Sequence, residues 1–313
     1  MNKLKEILNN WNLKYFEISP LKKGLVNEKW IVRTDSSDLI LRNTGTNPKY
    51  VEAQVILLDY LGQSNFSYHT PKLKSTKKNT KYIKYKDHYF YVYGFIEGFP
   101  IIEQQNISTS YYIGKLVGEY SKSVAKVNLP NGSTFVHMLE RNTLDTFPHL
   151  VQNSTHLEKS LENLLDTLNE IYNKDYGNLR NLVSIPCHLD YSPNNILTED
   201  SIKPIALIDF GSIAMKPKIC DVSNALQNVC GLYGKCNNDL IKSFFKGYLE
   251  SQRLSNLELS LIYPLIVDEL VRAICWHTNR IDNYSKREDV FLKKRVKLLD
   301  SLIETPMDFS ILI

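Results

Sequence analysis

The 313 residues are 43% hydrophobic and 23% charged, with a net charge of +4 from scattered lysines. This is ordinary globular composition, enough chain for one large core or two domains, without internal repeats or low-complexity segments. No apolar run approaches the ~18 residues of a membrane span, and the N-terminus lacks the apolar core of a signal peptide, so a cytoplasmic protein is expected. The five cysteines (187, 220, 230, 236 and 275) form no C-x-x-C pair and are odd in number. Free thiols in a reducing compartment account for them.

In chain order, Leu4, Ile7, Leu8 and Trp11 give residues 3–12 helical spacing. Residues 14–20 read as a strand. Gly24 marks a turn, Trp30 to Val32 resume a strand, and Asp38 to Arg42 form a third, which ends on a cation. Asn47-Pro48 is an N-cap followed by proline at the first helical position, opening a helix that runs to about Leu61. Its expected buried face is Val51, Val55, Leu58 and either Tyr60 or Leu61, with Glu52 in an early turn. Strands near 80–86 and 88–96 complete an antiparallel sheet. The basic stretch from Lys72 to Lys86 falls here; Tyr82 and Tyr85 alternate within it, so a solvated hairpin is expected, and no nucleic acid partner.

After Pro100 the pattern turns helical: 108–125, 155–173, 221–233, 237–252, 256–279 and 286–303, with Pro264 kinking or delaying the fifth of these. Residues 127–150 are loop-rich. The fold class expected is α+β, with an antiparallel-sheet N-terminal lobe (1–97) and a mainly helical C-terminal lobe (98–313), joined by a Gly/Pro connector.

The chemistry concentrates between Ile185 and Phe210, where polar residues stand at the ends of apolar runs. His188, Asp190 and Asn195 share one loop; Asp209 follows the apolar Ile205 to Ile208. Phosphoryl transfer needs a cation on the phosphates, hard oxygen ligands for Mg²⁺, and a carboxylate for the acceptor hydroxyl. Asp190 and Asn195, five apart on a loop, can divide hydroxyl and metal between them, and Asp209 at a strand end can face a cleft.

Taken together, these segments resemble the aminoglycoside phosphotransferase/choline kinase-like family, small-molecule kinases with a bilobal protein-kinase-like fold. His188-Leu-Asp190-Tyr-Ser-Pro193-Asn-Asn195-Ile-Leu is similar to that family's H-G-D-x-x-P-x-N-x-L loop, and Ile208-Asp209-Phe210-Gly211 to its metal-binding segment. Pro217-Lys-Ile-Cys-Asp221-Val resembles the helix start that follows. Gly24-Leu-Val-Asn27-Glu-Lys-Trp30-Ile-Val32 resembles the phosphate-covering turn, Leu39-Ile-Leu41-Arg42 the strand presenting a basic residue, and Phe95-Ile-Glu97-Gly98 the hinge whose backbone pairs with adenine.

The resemblance implies ATP and Mg²⁺ as cofactors and a small-molecule hydroxyl acceptor as partner, with no membrane partner. It implies Asp190 as catalytic base, Asn195 and Asp209 as metal ligands, and Arg42 on the phosphates, paired with Glu52. Gly24, Asn27, Phe95 and Glu97 would complete the nucleotide site, and His188 and Asp221 would brace the loop. Tyr191 and Ser192, next to the base, are candidates to touch the acceptor. Asp268, Glu269 and Trp276 on a late helix are further candidates, for which a helix surface and a core contact are the plainer roles. Leu189 departs from the family's glycine, and Arg42 stands where many kinases have lysine. The implied reaction is transfer of the γ-phosphate to an amino alcohol, an amino acid such as homoserine, or a sugar. An aminoglycoside-type antibiotic phosphotransferase and a catalytically silent nucleotide-binding module are the alternatives.

Overall fold

The computed structural model describes residues 2–21, 28–101, 106–130, 174, 177–229, 237–278, 286–305 and 307–309, excluding the side chains of 229, 275–278 and 286–292. Gly24, Asn27, the Trp276 side chain and the expected helix over 155–173 lie outside that set.

A short helix α1 (Asn2–Leu8) precedes the strands β1 (Tyr15–Pro20), β2 (Lys29–Thr34) and β3 (Leu39–Asn43). Helix α2 (Pro48–Gln63) and strands β4 (Tyr82–Tyr85) and β5 (His88–Gly94) follow. All five strands form one antiparallel sheet in the order β1-β2-β3-β5-β4. Strand β3 lies at its centre with every residue buried. Period-two alternation sends Leu39 and Leu41 into a cluster with Ile7, Leu8, Trp11, Phe90 and Val92. Ile40 goes to the opposite face with Val51, Tyr91 and Tyr93. Arg42, two residues beyond Ile40, therefore shares that second face and is 2% exposed.

Helix α2 begins as its N-cap signal requires: the Asn47 side chain accepts from the Lys49 N–H, and Pro48 opens the first turn. Its buried face is Tyr50, Val51, Ala53, Gln54, Leu57, Leu58 and Leu61. The outward stripe is Glu52, Ile56 and Tyr60, spaced four apart. The expected face holds at Val51, Leu58 and Leu61, while Val55 is only half-buried and the polar Gln54 lies inside.

The remaining strands are short. β6 (Phe99–Pro100), β8 (Ile196–Thr198) and β9 (Pro204–Leu207) form one sheet, and β7 (Ser184–Cys187) pairs with β10 (Ala214–Pro217). The connector Gly98 stands at φ +143, and a Cβ there would come 3.1 Å from the Leu197 Cβ, which is why glycine leads the chain against β8. The helices are α3 (Ile107–Val124), α4 (Ile219–Val229), α5 (Asn238–Tyr248), α6 (Asn256–Ser260), α7 (Ile262–Thr278) and α8 (Lys286–Glu304). The expected 256–279 helix divides at Leu261, which caps α6, and Pro264 falls in the first turn of α7, where its missing N–H costs nothing. Glycine sets the closest helix contact: a Cβ on Gly114 would lie 1.9 Å from the Phe244 carbonyl oxygen, so α3 and α5 touch backbone to backbone. Among the described residues no helix is long and apolar enough to cross a membrane.

Candidate active site

The loop between β7 and β8 carries His188, Asp190 and Asn195, and the residue two past β9 is Asp209. The chain is clamped between these points. The Ile208 N–H donates to the Asn195 carbonyl at 2.9 Å, and the His188 Nε2 donates to the Ile208 carbonyl at 3.1 Å. The His188 Nδ1 accepts from the Asp190 N–H at 3.3 Å. A carbonyl partner on one nitrogen and an N–H partner on the other define the neutral, Nε2-protonated tautomer. Burial pushes the His188 pKa down to about 4, which keeps that tautomer in place. Its ring packs on Phe210 and Tyr191 with centroids 4.8 and 5.1 Å away.

Asp221 opens α4 and holds the loop from below. Its carboxylate accepts from the N–H groups of Leu189 (2.9 Å) and His188 (3.1 Å) and from the Tyr191 hydroxyl (3.3 Å). Burial raises its pKa to about 7 against those donors. Asn224, one turn along, accepts from the Tyr191 N–H at 2.9 Å and donates to Glu269 at 3.3 Å. Glu269 and Asp268 on α7 both pair with Arg272, at 2.6 and 2.9 Å. A chain of buried and part-buried polar contacts thus runs from the His188–Asn195 loop to α7, and Asn224 and Arg272 are members the sequence reading missed.

Two carboxylates face the site in opposite electrostatic states. Burial would raise Asp209, but the charges of Arg42 and Lys29 outweigh it and hold the carboxyl well below the usual range. The Arg42 guanidinium meets Oδ1 at 2.6 Å and the Lys29 ammonium meets Oδ2 at 2.5 Å. Asp190 is raised to about 6, first by burial and then by the negative charge of Asp209; hydrogen bonds from Asn195 and Ser192 and the Lys29 charge oppose this. A carboxylate that titrates near neutrality suits a group that takes a hydroxyl proton.

Several expectations need correction. Arg42 pairs with Asp209, and Glu52 is exposed, because helical phase puts residue 52 on the outer stripe of α2. The buried polar residue of that helix is Gln54, which accepts from the Tyr91 hydroxyl at 2.7 Å. Tyr191 is fully buried against Tyr120 and His188, with its hydroxyl on Asp221, so it faces the core and not an acceptor. Ser192 instead reaches the Asp190 carboxylate. The Phe95 N–H donates to the Asp38 carbonyl at 2.9 Å, so that hinge donor is taken within the protein, and Glu97 is exposed. Cys187 is a buried free thiol, as the odd cysteine count leads us to expect, and desolvation pushes its pKa well above the usual range.

Lys29 was not identified from the sequence. Its signal was faint: one lysine among many, recognisable only once the register of β2 against β3 sets it directly opposite Arg42.

The donor set fits a phosphate-bound divalent cation. The Asn195 Nδ2 is committed to the Asp190 carbonyl at 3.1 Å, which turns its Oδ1 away from that carbonyl. Asp209 supplies a hard carboxylate, and no group of three or more His, Cys, Asp or Glu side chains gathers as a metal site among the described residues. A metal here would rest on one carboxylate, one amide oxygen and the nucleotide's own oxygens, the usual manner for Mg²⁺. The Arg42 Nε is buried with no hydrogen-bond partner among the described residues.

No curated protein matches the sequence. Solved structures of like fold include the microcompartment-associated aminopropanol kinase (TM-score 0.76, 14% identity, covering 97% of this chain and 96% of that one). The amicoumacin kinase hAmiN in complex with AMP-PNP, Ca²⁺ and Ami aligns with TM-score 0.74 and 18% identity over 99% and 96% of the chains. Spectinomycin phosphotransferase APH(9)-Ia, in complex with ADP and spectinomycin, gives 0.67 and 16% over 97% and 98%. These likenesses establish the protein-kinase-like α+β fold of small-molecule kinases. The model of the phosphotransferase enzyme family matches residues 17–251, three quarters of the sequence, spanning Lys29, Arg42, the His188–Asn195 loop, Asp209 and Asp221, so the chain belongs to the phosphotransferase enzyme family.

Proposed function

We propose that the protein transfers the γ-phosphate of ATP, with Mg²⁺, to a hydroxyl of a small molecule in the cytoplasm, the acceptor being an amino alcohol, an amino acid or a sugar. Residues 1–97 act as the nucleotide-binding lobe and 98–313 as the catalytic and acceptor lobe. The observation that carries this reading is a strand-end carboxylate, Asp209, held by two cations at 2.5 and 2.6 Å beside a second, buried carboxylate, Asp190. Asp209 stays ionised under two cations, while Asp190 is raised to about 6 and can accept a proton near neutral pH.

The roles follow from the contacts. Asp190 orients the acceptor hydroxyl and takes its proton, with Ser192 and Asn195 holding the carboxylate in place. Asn195 Oδ1 and Asp209 would hold Mg²⁺, which when bound offsets charge on the transferring phosphoryl group. Arg42 fixes the Asp209 carboxylate with its guanidinium and sets a permanent positive charge beside the phosphate site. His188, Asp221 and Asn224 fix the loop through backbone hydrogen bonds and touch no reacting atom. A small amino alcohol heads the acceptor class, a choice supported by the fold-level likeness to the aminopropanol kinase.

ADP release tests the reading. A panel of amino alcohols, hydroxy amino acids, sugars and aminoglycosides is offered with Mg-ATP to wild type and to Asp190→Asn. One acceptor should give turnover that falls at least ~100-fold in the variant. Full turnover by Asp190→Asn would remove the base assignment. Nucleotide binding without transfer to any acceptor would favour a silent binding module.

A further inference from the structure

We infer that Lys29 is the mobile cation of the site: it neutralises Asp209 until a metal takes that carboxylate, and its released ammonium then binds a nucleotide phosphate. The inference rests on the phosphotransferase reading above and adds a residue and an order of events to it.

Both Asp209 oxygens are engaged, one by each cation, so a metal ligated by either oxygen must share it with a like charge or displace that cation. The two cations are not equally free to leave. Arg42 lies on the central strand, 2% exposed, with Tyr50, Tyr91 and Tyr93 around it. Gly211 presses against its guanidinium so closely that a Cβ there would lie 2.2 Å from the Arg42 Nη2. Moving that head group would require the surrounding shell to rearrange.

Lys29 is differently placed. It is the first residue of β2, where the sheet begins, and its flexible stem ends in a compact charge that turns easily. Its bridge to Asp209 is its one ion pair among the described residues. The Lys29 side chain is only 10% exposed, so its ammonium, once displaced, needs another anion nearby. The Asp190 carboxylate already interacts with it, and a phosphate oxygen brought in with the metal supplies a second anion. The metal and the ammonium therefore compete for Asp209, whereas the nucleotide and the ammonium support one another.

Those opposed signs make the test. Mn²⁺, a spectroscopic stand-in for Mg²⁺, is titrated into whole wild-type protein and Lys29→Met without nucleotide, and Mg–AMP-PNP binding is measured by calorimetry. Lys29→Met should bind Mn²⁺ about tenfold more tightly and Mg–AMP-PNP about tenfold more weakly, the scale of one charge-assisted contact. Lys29→Arg should keep nucleotide affinity within about threefold, since its charge remains. If Lys29→Met fails to fold by circular dichroism, Lys29→Gln serves, with the same directions expected.

Unchanged or weaker Mn²⁺ binding in the charge-removing variant overturns the competition. Unchanged Mg–AMP-PNP affinity overturns the phosphate contact. Wild-type protein that binds neither ligand overturns the reading of the site as a whole, an outcome distinct from either variant-to-wild-type ratio.

Discussion

The His188 imidazole donates from Nε2 to the Ile208 carbonyl, 3.1 Å away, and so joins the loop of one site carboxylate to the strand end of the other. Asp190 and Asp209 keep their separation because this neutral ring spans the gap and cannot charge easily. A mutation at His188 should therefore act on geometry before binding. His188→Ala removes a ring that packs on Phe210 and Tyr191 and frees two backbone partners, and should cost ~3 kcal/mol of stability by denaturant unfolding. In the folded fraction kcat should fall more than tenfold with KM for ATP nearly constant. An unchanged kcat would show that the clamp is dispensable.

The pH profile should carry the signature of Asp190. Burial and the Asp209 charge disfavour its ionised form, so its pKa is raised to about 6. A base must be deprotonated to act; kcat/KM should therefore rise with pH through about 6 and level off above it. His188, pushed down to about 4, stays neutral across that window and contributes no step. A profile already flat at pH 5 would contradict the assignment.

Gly211→Ala probes the cation shell. The added methyl would meet the Arg42 Nη2 at 2.2 Å and the Asp209 Oδ1 at 3.0 Å, and neither can yield without breaking their ion pair. We expect a loss of about 1–3 kcal/mol from overpacking and a clear drop in nucleotide affinity, measured by thermal melts with and without AMP-PNP. Wild-type stabilisation by nucleotide in this variant would show that Arg42 can move.

Leu189 sets two effects against each other. It occupies left-handed backbone at φ +58, where the family-like motif has glycine, and this costs a non-glycine residue about 1–2 kcal/mol. Its side chain is also 9% exposed within the main core, and burial of a leucine is worth about 1.5–3 kcal/mol. Glycine gives up that burial and adds unfolded-state freedom of up to ~1 kcal/mol. Leu189→Gly should therefore be net destabilising by about 1 kcal/mol or more, read from the denaturant midpoint. A stabilised variant would mean that backbone strain outweighs packing here.

The local features can be read directly from the order of residues. Alternation in Leu39–Arg42 marked a strand that ends on a cation, and Asn47-Pro48 marked a helix start. The spacing of Asp190, Asn195 and Asp209 marked a site at the ends of apolar runs. Each of these is written within a few residues, where turn chemistry and hydrophobic period act directly. Only the tertiary structure decided which partners meet. Lys29 and Asp209 are 180 residues apart, and nothing local distinguishes that lysine from those on the surface. Their contact depends on the β2–β3 register and on how the sheet sits over the β9 strand end. The phase of α2 likewise turned Glu52 outward and Gln54 inward, and the packing around His188 drew Tyr191 into the core. Long-range pairing is settled by which face of each element the core buries, so a charge legible in the sequence acquires its partner only when the elements are packed together.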